Sequence, residues 1–373
     1  MARPQILSLP ERLEAHPKYA GRGVCIGFVD SGFYPHPDLM QPRRRIRVYA
    51  DAAREIPVGG EFFTPQPFGW HGTMTACCAA GNGYVSGGRY RGLASESDVV
   101  LIKASIDDGC IRGKNVANAI RFPLRYPHLE IKILNVSLGV LRSDPDFNAV
   151  EDAVREVIAA GIVVVAAAGN NPGAPPLAPG SVAEAITAGG SNDKNTTGGD
   201  EDEPWPSSHG LIGNVMKPDL LAPAIWLPAP MLPGTLTARE AAPLFQLLSV
   251  LEEESVEHGF SETRQTATAE ERASVQALIE AIGARINRCK YISPDYQHVD
   301  GTSFASPITA SVVAQMLEAN PALTPAELKR GLLTTAVPIL NVDRAQQGAG
   351  VLRPRRAVEW AIEQRQDSQI SQV

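Results

Sequence analysis

The sequence predicts an α/β fold, a mainly parallel twisted sheet with helices on both faces. Three observations carry that expectation. Short, nearly all-apolar runs recur at 24–29, 99–102, 131–136 and 162–168, as strands buried on both faces require. Segments with helical spacing stand between them, at 115–125 and 147–160. The turns joining the two kinds of segment are short, which implies parallel strands joined through helices.

Composition bounds the function. With 373 residues, 44% of them hydrophobic, the chain can bury a large core. Residues 1–373 read as a single domain, with a short N-terminal segment at 1–20 and a helical insertion at about 231–292. The formal charge of -7 and the lack of a basic patch with interleaved aromatics argue against nucleic acid as a partner. Arg43, Arg44 and Arg45 read as a solvated loop, and so do the four acidic residues at 200–203. No apolar run is long enough to span a bilayer, and residues 1–20 lack the apolar stretch of a signal peptide, so no membrane partner is expected. The cysteines at 25, 77, 78, 110 and 289 are odd in number and scattered, without metal-ligand spacing. A reduced, cytoplasmic setting is expected.

The first strand, 24–29, runs into Asp30-Ser31-Gly32, which stands a carboxylate at the carboxyl end of a parallel strand, the edge where sites form. The plainer reading of Asp30 is a turn residue before Gly32. A Gly/Pro-rich loop leads to Trp70. His71-Gly72-Thr73 then opens a helix of small residues ending at Ala80. The positive end of a helix disfavours a charged ring there, so the imidazole is expected to stay neutral and basic, as a general base must.

The third strand, 131–136, runs into Ser137-Leu138-Gly139, and the most apolar, 162–168, into Gly169-Asn170-Asn171. One further strand is expected at 185–188. Residues 237–257 and 268–286 have helical periodicity and many charges. They read as a two-helix excursion with Leu244, Leu247, Leu248, Leu251, Leu278, Ile279, Ile282 and Ile286 as its apolar faces. A capping signature from Thr324 to Glu327 opens another helix, a last one covers 354–364, and the tail 365–373 is expected to fray.

Ser303 opens a helix over 303–318, in which Ile308, Val312, Val313, Met316 and Leu317 recur at helical spacing. Its N–H groups there are unpaired and the dipole is positive, which suits a nucleophile whose attack creates an oxyanion. Pro307 is tolerable if it falls among the earliest helical positions, which need no N–H donor. A lone Ser in that place is more often only a cap. The order Asp30, His71, Ser303 is what tells against that reading, since it is the order of the subtilisin triad.

The matching segments are Asp30-Ser31-Gly32, His71-Gly72-Thr73 and Gly301-Thr302-Ser303-Phe304-Ala305-Ser306-Pro307. Between them, in sequence order, stand Ser137-Leu138-Gly139, Ala168-Gly169-Asn170 and Lys217-Pro218-Asp219-Leu220-Leu221-Ala222-Pro223. Asn320-Pro321 and Gly348-Ala349-Gly350 follow. Over about 21–361 the chain resembles the subtilase family of subtilisin-like serine proteases. The resemblance implies Ser303 as nucleophile, His71 as base, Asp30 as its orienting carboxylate and Asn170 as oxyanion donor beside the Ser303 N–H. It makes Ser137, Leu138 and Gly139, with Ala168 and Gly169, the substrate strand and S1 wall, and Gly109-Cys110-Ile111 the opposite strand. An extended polypeptide held between the two is the implied substrate. Leu177 is expected to narrow the S1 pocket.

That chemistry requires no cofactor. Asp38 matches a position that often binds calcium in the family, while its partner loop 82–88 matches poorly. The first strand beginning at Val24 resembles the intracellular type lacking a long pro-domain. Residues 1–18, extended by Pro10 and Pro17, are expected to lie across the cleft as an inhibitory segment. The insertion is expected to limit access or dock a protein partner, which implies a processing protease of restricted specificity. The alternative is a catalytically silent, peptide-binding or regulatory protein on the same fold. An esterase of the α/β-hydrolase type is excluded, because it needs the order Ser…Asp…His and a Gly-x-Ser-x-Gly motif.

Overall fold

The computed structural model describes residues 6–54, 56–57, 63–106, 109–260 and 269–370. Its centre is a nine-stranded, mainly parallel sheet. The parallel strands are β1 (Cys25–Asp30), β2 (Ile46–Asp51), β3 (Asp98–Lys103), β4 (Ile131–Val136), β5 (Val163–Ala167), β6 (Ile186–Asn192) and β7 (Leu220–Pro223), in the order β7-β6-β5-β4-β1-β3-β2. Two short antiparallel pieces, Ile56–Pro57 and Glu203–Pro204, pair with β2 and β6.

Strand period two explains the burial. Ile26, Phe28, Val99, Leu101 and Ile133 pack on the face that carries α1 (Trp70–Ala80) and α6 (Thr302–Ala319). Cys25, Val29, Val100, Ile102 and Leu134 pack on the other face, with α2 (Gly113–Ile120) and α3 (Phe147–Ala159). Strands covered on both sides have no polar face, hence the continuous apolar runs. Asp30 is in phase with Ile26 and Phe28, so its side chain falls on the α1/α6 face. The direction of the chain around the sheet reverses at β1, beside β4, and ligands of open α/β sheets bind at such a crevice.

Several expectations are corrected. β2 lies in the stretch read as loop, and Arg45 before it is not solvated. It is 4% exposed and donates to the carbonyls of Ala80, Ser97 and Asp38. The helix expected over 115–125 breaks after Ile120, and a separate turn, Phe122–Arg125, accommodates Pro123 at its start. Asp202 in the acidic loop is buried, and Arg353 donates to it at 2.6 Å; burial pushes its carboxyl pKa up. The last helix, α8 (Pro354–Ile370), includes most of the tail expected to fray, and 371–373 lie outside the described residues.

The insertion springs from an antiparallel ribbon, β8 (Leu227–Pro230) and β9 (Tyr296–Val299), and consists of α4 (Leu236–Phe260) and α5 (Ala269–Arg288). Leu248, Leu251, Ile282 and Ile286 form its own small core with Met231 and Tyr291. Leu247 and Leu278, expected in that interface, are 44% exposed: they sit on the outer faces of their helices. A helix α7 (Pro325–Thr335) carries the expected capping box at Thr324 and Glu327.

Of the N-terminal segment, residues 6–18 pack against the body rather than across the cleft, and residues 1–5 lie outside the described residues. Pro10 sits inside a one-turn helix, Leu9–Arg12, capped by Ser8, and Leu9 and Leu13 join the core. Arg12 is fully buried. It is paired with Asp193 through Nε (2.9 Å) and Nη2, and donates to the carbonyls of Trp226 (2.8 Å) and Ile225 (3.2 Å). Replacing Arg12 by Ala leaves Asp193 buried without its partner. The expected loss is about 3–5 kcal/mol, measured as a fall in the denaturant midpoint.

Candidate active site

Asp30 is 1% exposed, and donors surround its carboxylate. The Ser31 N–H donates to Oδ1 at 2.7 Å, and the hydroxyls of Ser31 and Thr75 approach at 3.2 and 3.4 Å. His71 Nδ1 lies 2.9 Å from both Oδ1 and Oδ2. Since an ionised carboxylate only accepts, Nδ1 carries the proton and Nε2 is left as the base. Gly72 permits this approach, because a Cβ there would come within 2.8 Å of the Asp30 Cβ and collide with the Gly32 carbonyl.

The helix begins at Trp70, so His71 stands in its first turn, where the dipole alone would favour neutrality. Asp30 overrides it. Burial works against charge on the ring, but the charge and hydrogen bond of Asp30 outweigh it, and the His71 pKa is raised above its ordinary 6.5. The ring also lies 5.7 Å from that of Phe304, the residue after Ser303.

Ser303 is the second residue of α6, at the end of the turn Asp300–Gly301. Gly301 has φ 126°, which favours glycine, and its N–H donates to the Ala224 carbonyl at 2.7 Å. Pro307 is the sixth residue of this helix, past the positions that need no donor. Its missing N–H leaves the Ser303 carbonyl without a helical partner. The Ser137 hydroxyl fills the gap, donating to that carbonyl at 2.9 Å. Asn135 donates to Ser137 (3.0 Å) and accepts from Ser306 (2.6 Å), so a buried chain of polar groups holds the backbone of Ser303. Asn135 carried no sequence signal beyond lying in a strand, whereas Ser306 stood in the motif that follows Gly301.

Asn170 follows β5. Its Oδ1 accepts from the Thr302 N–H (3.0 Å) and hydroxyl (2.9 Å). A backbone N–H can only donate, so the carbonyl end of the amide faces Thr302 and Nδ2 remains for another acceptor. The Thr302 hydroxyl also accepts from the Gly169 N–H at 3.0 Å. Among the described residues the Ser303 N–H makes no hydrogen bond, as its place in the first turn requires. Neither Asn170 Nδ2 nor the Ser303 N–H has an acceptor among the described residues, and both residues line one cavity.

Ser303 also lines a cavity of about 290 Å³ with Leu138, Gly139, Ala168, Asn170 and Leu177. Among the described residues no charged one lines it. Leu177 approaches Gly139 closely, since a Cβ on that glycine would lie 3.4 Å from Leu177 Cδ1. Gly109, Cys110 and Ile111, expected as the opposite strand, do not line this cavity. Cys110 accepts from the Ile106 N–H and Ile111 bridges Ser105, while Gly109 packs on Phe68, outside this cavity.

The fold agrees with the comparisons to known proteins. The subtilase family model matches residues 21–356. The chain belongs to the subtilase family. This subtilase is 28% identical over 349 residues to the serine protease AprX of Bacillus subtilis (strain 168), covering 91% of this chain and 66% of AprX. It is 30% identical over 181 residues to subtilisin-like protease 3 of Pseudogymnoascus destructans, covering 47% of this chain and 40% of that protein. Among solved structures, fervidolysin from Fervidobacterium pennivorans superposes with a TM-score of 0.61 at 18% identity, covering 92% of this chain and 43% of that chain. The prenylagaramide maturation protease PagA superposes with 0.59 at 17%, covering 93% and 95%. At such identities the structural likeness establishes the fold alone. The subtilase thus spans about two thirds of AprX and less than half of fervidolysin. Among the described residues no helix is long and apolar enough to cross a membrane.

The His71 shift sets a pH dependence. A raised pKa means that the charged pair with Asp30 adds stability below 6.5, and that this is lost as pH rises through the raised value. Chemistry needing the neutral ring should increase over the same window. The acid limb of kcat/KM is expected to have its midpoint above 6.5 and to move to lower pH in Asp30→Asn, where only burial still acts on the ring; a pH–rate profile checks both.

Proposed function

We propose that this subtilase is a serine endopeptidase that cleaves extended polypeptides through an acyl-enzyme. The observation that carries the reading is the clamp of Asp30 on His71 Nδ1, with the ring of Phe304, the residue after Ser303, 5.7 Å from the imidazole and Ser303 itself lining an uncharged cavity. His71 Nε2 takes the Ser303 proton as Oγ attacks the scissile carbonyl carbon. The carbonyl oxygen, now negative, takes hydrogen bonds from Asn170 Nδ2 and the Ser303 N–H. The imidazolium, held by Asp30, gives its proton to the leaving nitrogen as the C–N bond breaks. Water, deprotonated by the same ring, then releases the acyl group. The cavity, uncharged and narrowed by Leu177, suits a small or medium apolar side chain on the acyl side. Ser137, Leu138, Gly139, Ala168 and Gly169 supply the edge along which the acyl half of the substrate lies.

Labelling by a fluorophosphonate probe, lost in Ser303→Ala, tests the nucleophile. A wild-type protein that never labels would favour the silent peptide-binding reading instead. Asn170→Ala should lower kcat by ~10²–10³, the size known from subtilisin itself, with little change in KM.

Calcium is not part of this reading. Both oxygens of Asp38 are already met, Oδ1 by the Val85 N–H (3.0 Å) and Oδ2 by the Tyr296 hydroxyl, and Arg45 stands against the Asp38 carbonyl. His36 and Cys77 lie close to Asp38, but sulfur and imidazole are poor ligands for so hard a cation. A chelator is therefore expected to leave Tm and the peptidase rate unchanged.

The restricted specificity is assigned to the insertion. Exchanging 234–290 for a short Gly linker should raise cleavage of folded proteins relative to a short peptide. An unchanged ratio would remove the restriction.

A further inference from the structure

A second concavity, about 670 Å³, lies apart from the cavity at Ser303. One wall is Pro65, Gln66 and Pro67, the chain that leads directly into the helix of His71. The other is formed where the insertion leaves β8 and enters α4, by Leu232 through Thr237 and by Arg239. Leu236 presents an 85% exposed apolar side chain there.

The chemistry says what passes this point. The acyl side chain sits in the cavity at Ser303, and the ring that took the serine proton must hand it to the leaving amine. The leaving half of the substrate therefore lies on the imidazole's side, and residues 65–67, one wall of this groove, run straight into the helix that bears the imidazole. Arg239 is exposed, and among the described residues it makes no ion pair. Its neighbour Glu240 is committed elsewhere, accepting from Arg285 (2.7 Å) and the Tyr291 hydroxyl (2.9 Å). On a chain of formal charge -7, a guanidinium unpaired among the described residues and set in an apolar groove is a local contrast that a carboxylate would recognise.

We propose that this groove receives the polypeptide on the leaving side of the scissile bond and that Arg239 selects an acidic residue there. The proposal rests on the endopeptidase reading and adds the substrate feature that the insertion reads. The test is a peptide series with a constant acyl half and Asp, Ala or Lys at each position after the cleaved bond in turn. A p-nitroanilide with the same acyl half, which lacks a leaving peptide, is the reference. At one position kcat/KM should be about two- to tenfold higher for Asp than for Lys, the range that an exposed charge contact of either sign supplies. High salt should shrink the ratio. Arg239→Ala should abolish it and Arg239→Glu should invert it, with fluorophosphonate labelling reporting the folded fraction of each variant. Equal rates for Asp and Lys at every position, or a preference that survives Arg239→Glu, would overturn the proposal and leave the peptidase reading intact. Absence of any hydrolysis together with absence of labelling would remove both.

Discussion

A carboxylate almost cut off from water survives only where donors converge on it, and the arrangement around Asp30 follows from that constraint. The pleat of β1 sends its side chain to the face where α1 and α6 pack. Ser31, Thr75 and His71 supply the donors. None of this works unless α1 comes close, and Gly72 is the residue that lets it, as Gly32 lets Phe68 approach from the other side. The orientation of His71, its tautomer and its raised pKa are consequences of one buried negative charge.

The helix bearing Ser303 shows a second dependence. Pro307 removes a backbone hydrogen bond within α6, and the carbonyl thus freed belongs to Ser303 itself. Ser137 answers it from the end of β4, and Asn135 and Ser306 brace Ser137 in turn. Thr302 meanwhile sets the orientation of Asn170 and ties it to the end of β5. Three separate parts of the chain are therefore cross-linked by side chains at one corner of the sheet. A change at Ser137 would reach Ser303 through its backbone.

The insertion is built differently. It has its own apolar core and leaves the body through a two-stranded ribbon, so it can be elaborated without disturbing the sheet. The ribbon also packs on α1, with Cys78 approaching the Pro228 carbonyl and Gln297 near Met74. That contact brings the base of the hairpin beside the chain that precedes His71. A decoration on one edge thereby becomes a wall of the second groove.

What the sequence by itself determined is local: apolar runs that need cover on both faces, helix starts, and short peptides whose order placed Asp30, His71, Asn170 and Ser303 at strand ends and helix beginnings. Those signals lie within a few neighbouring residues, and period two or 3.6 makes them visible. Only the tertiary structure decided which charged and polar residues are buried. Arg12 meets Asp193 across 181 residues, Arg353 meets Asp202 across 151, and Ser137 meets Ser303 across 166. A buried Arg is spelled the same as a solvated one, because its burial depends on a partner remote along the chain, and no local periodicity records where that partner will be.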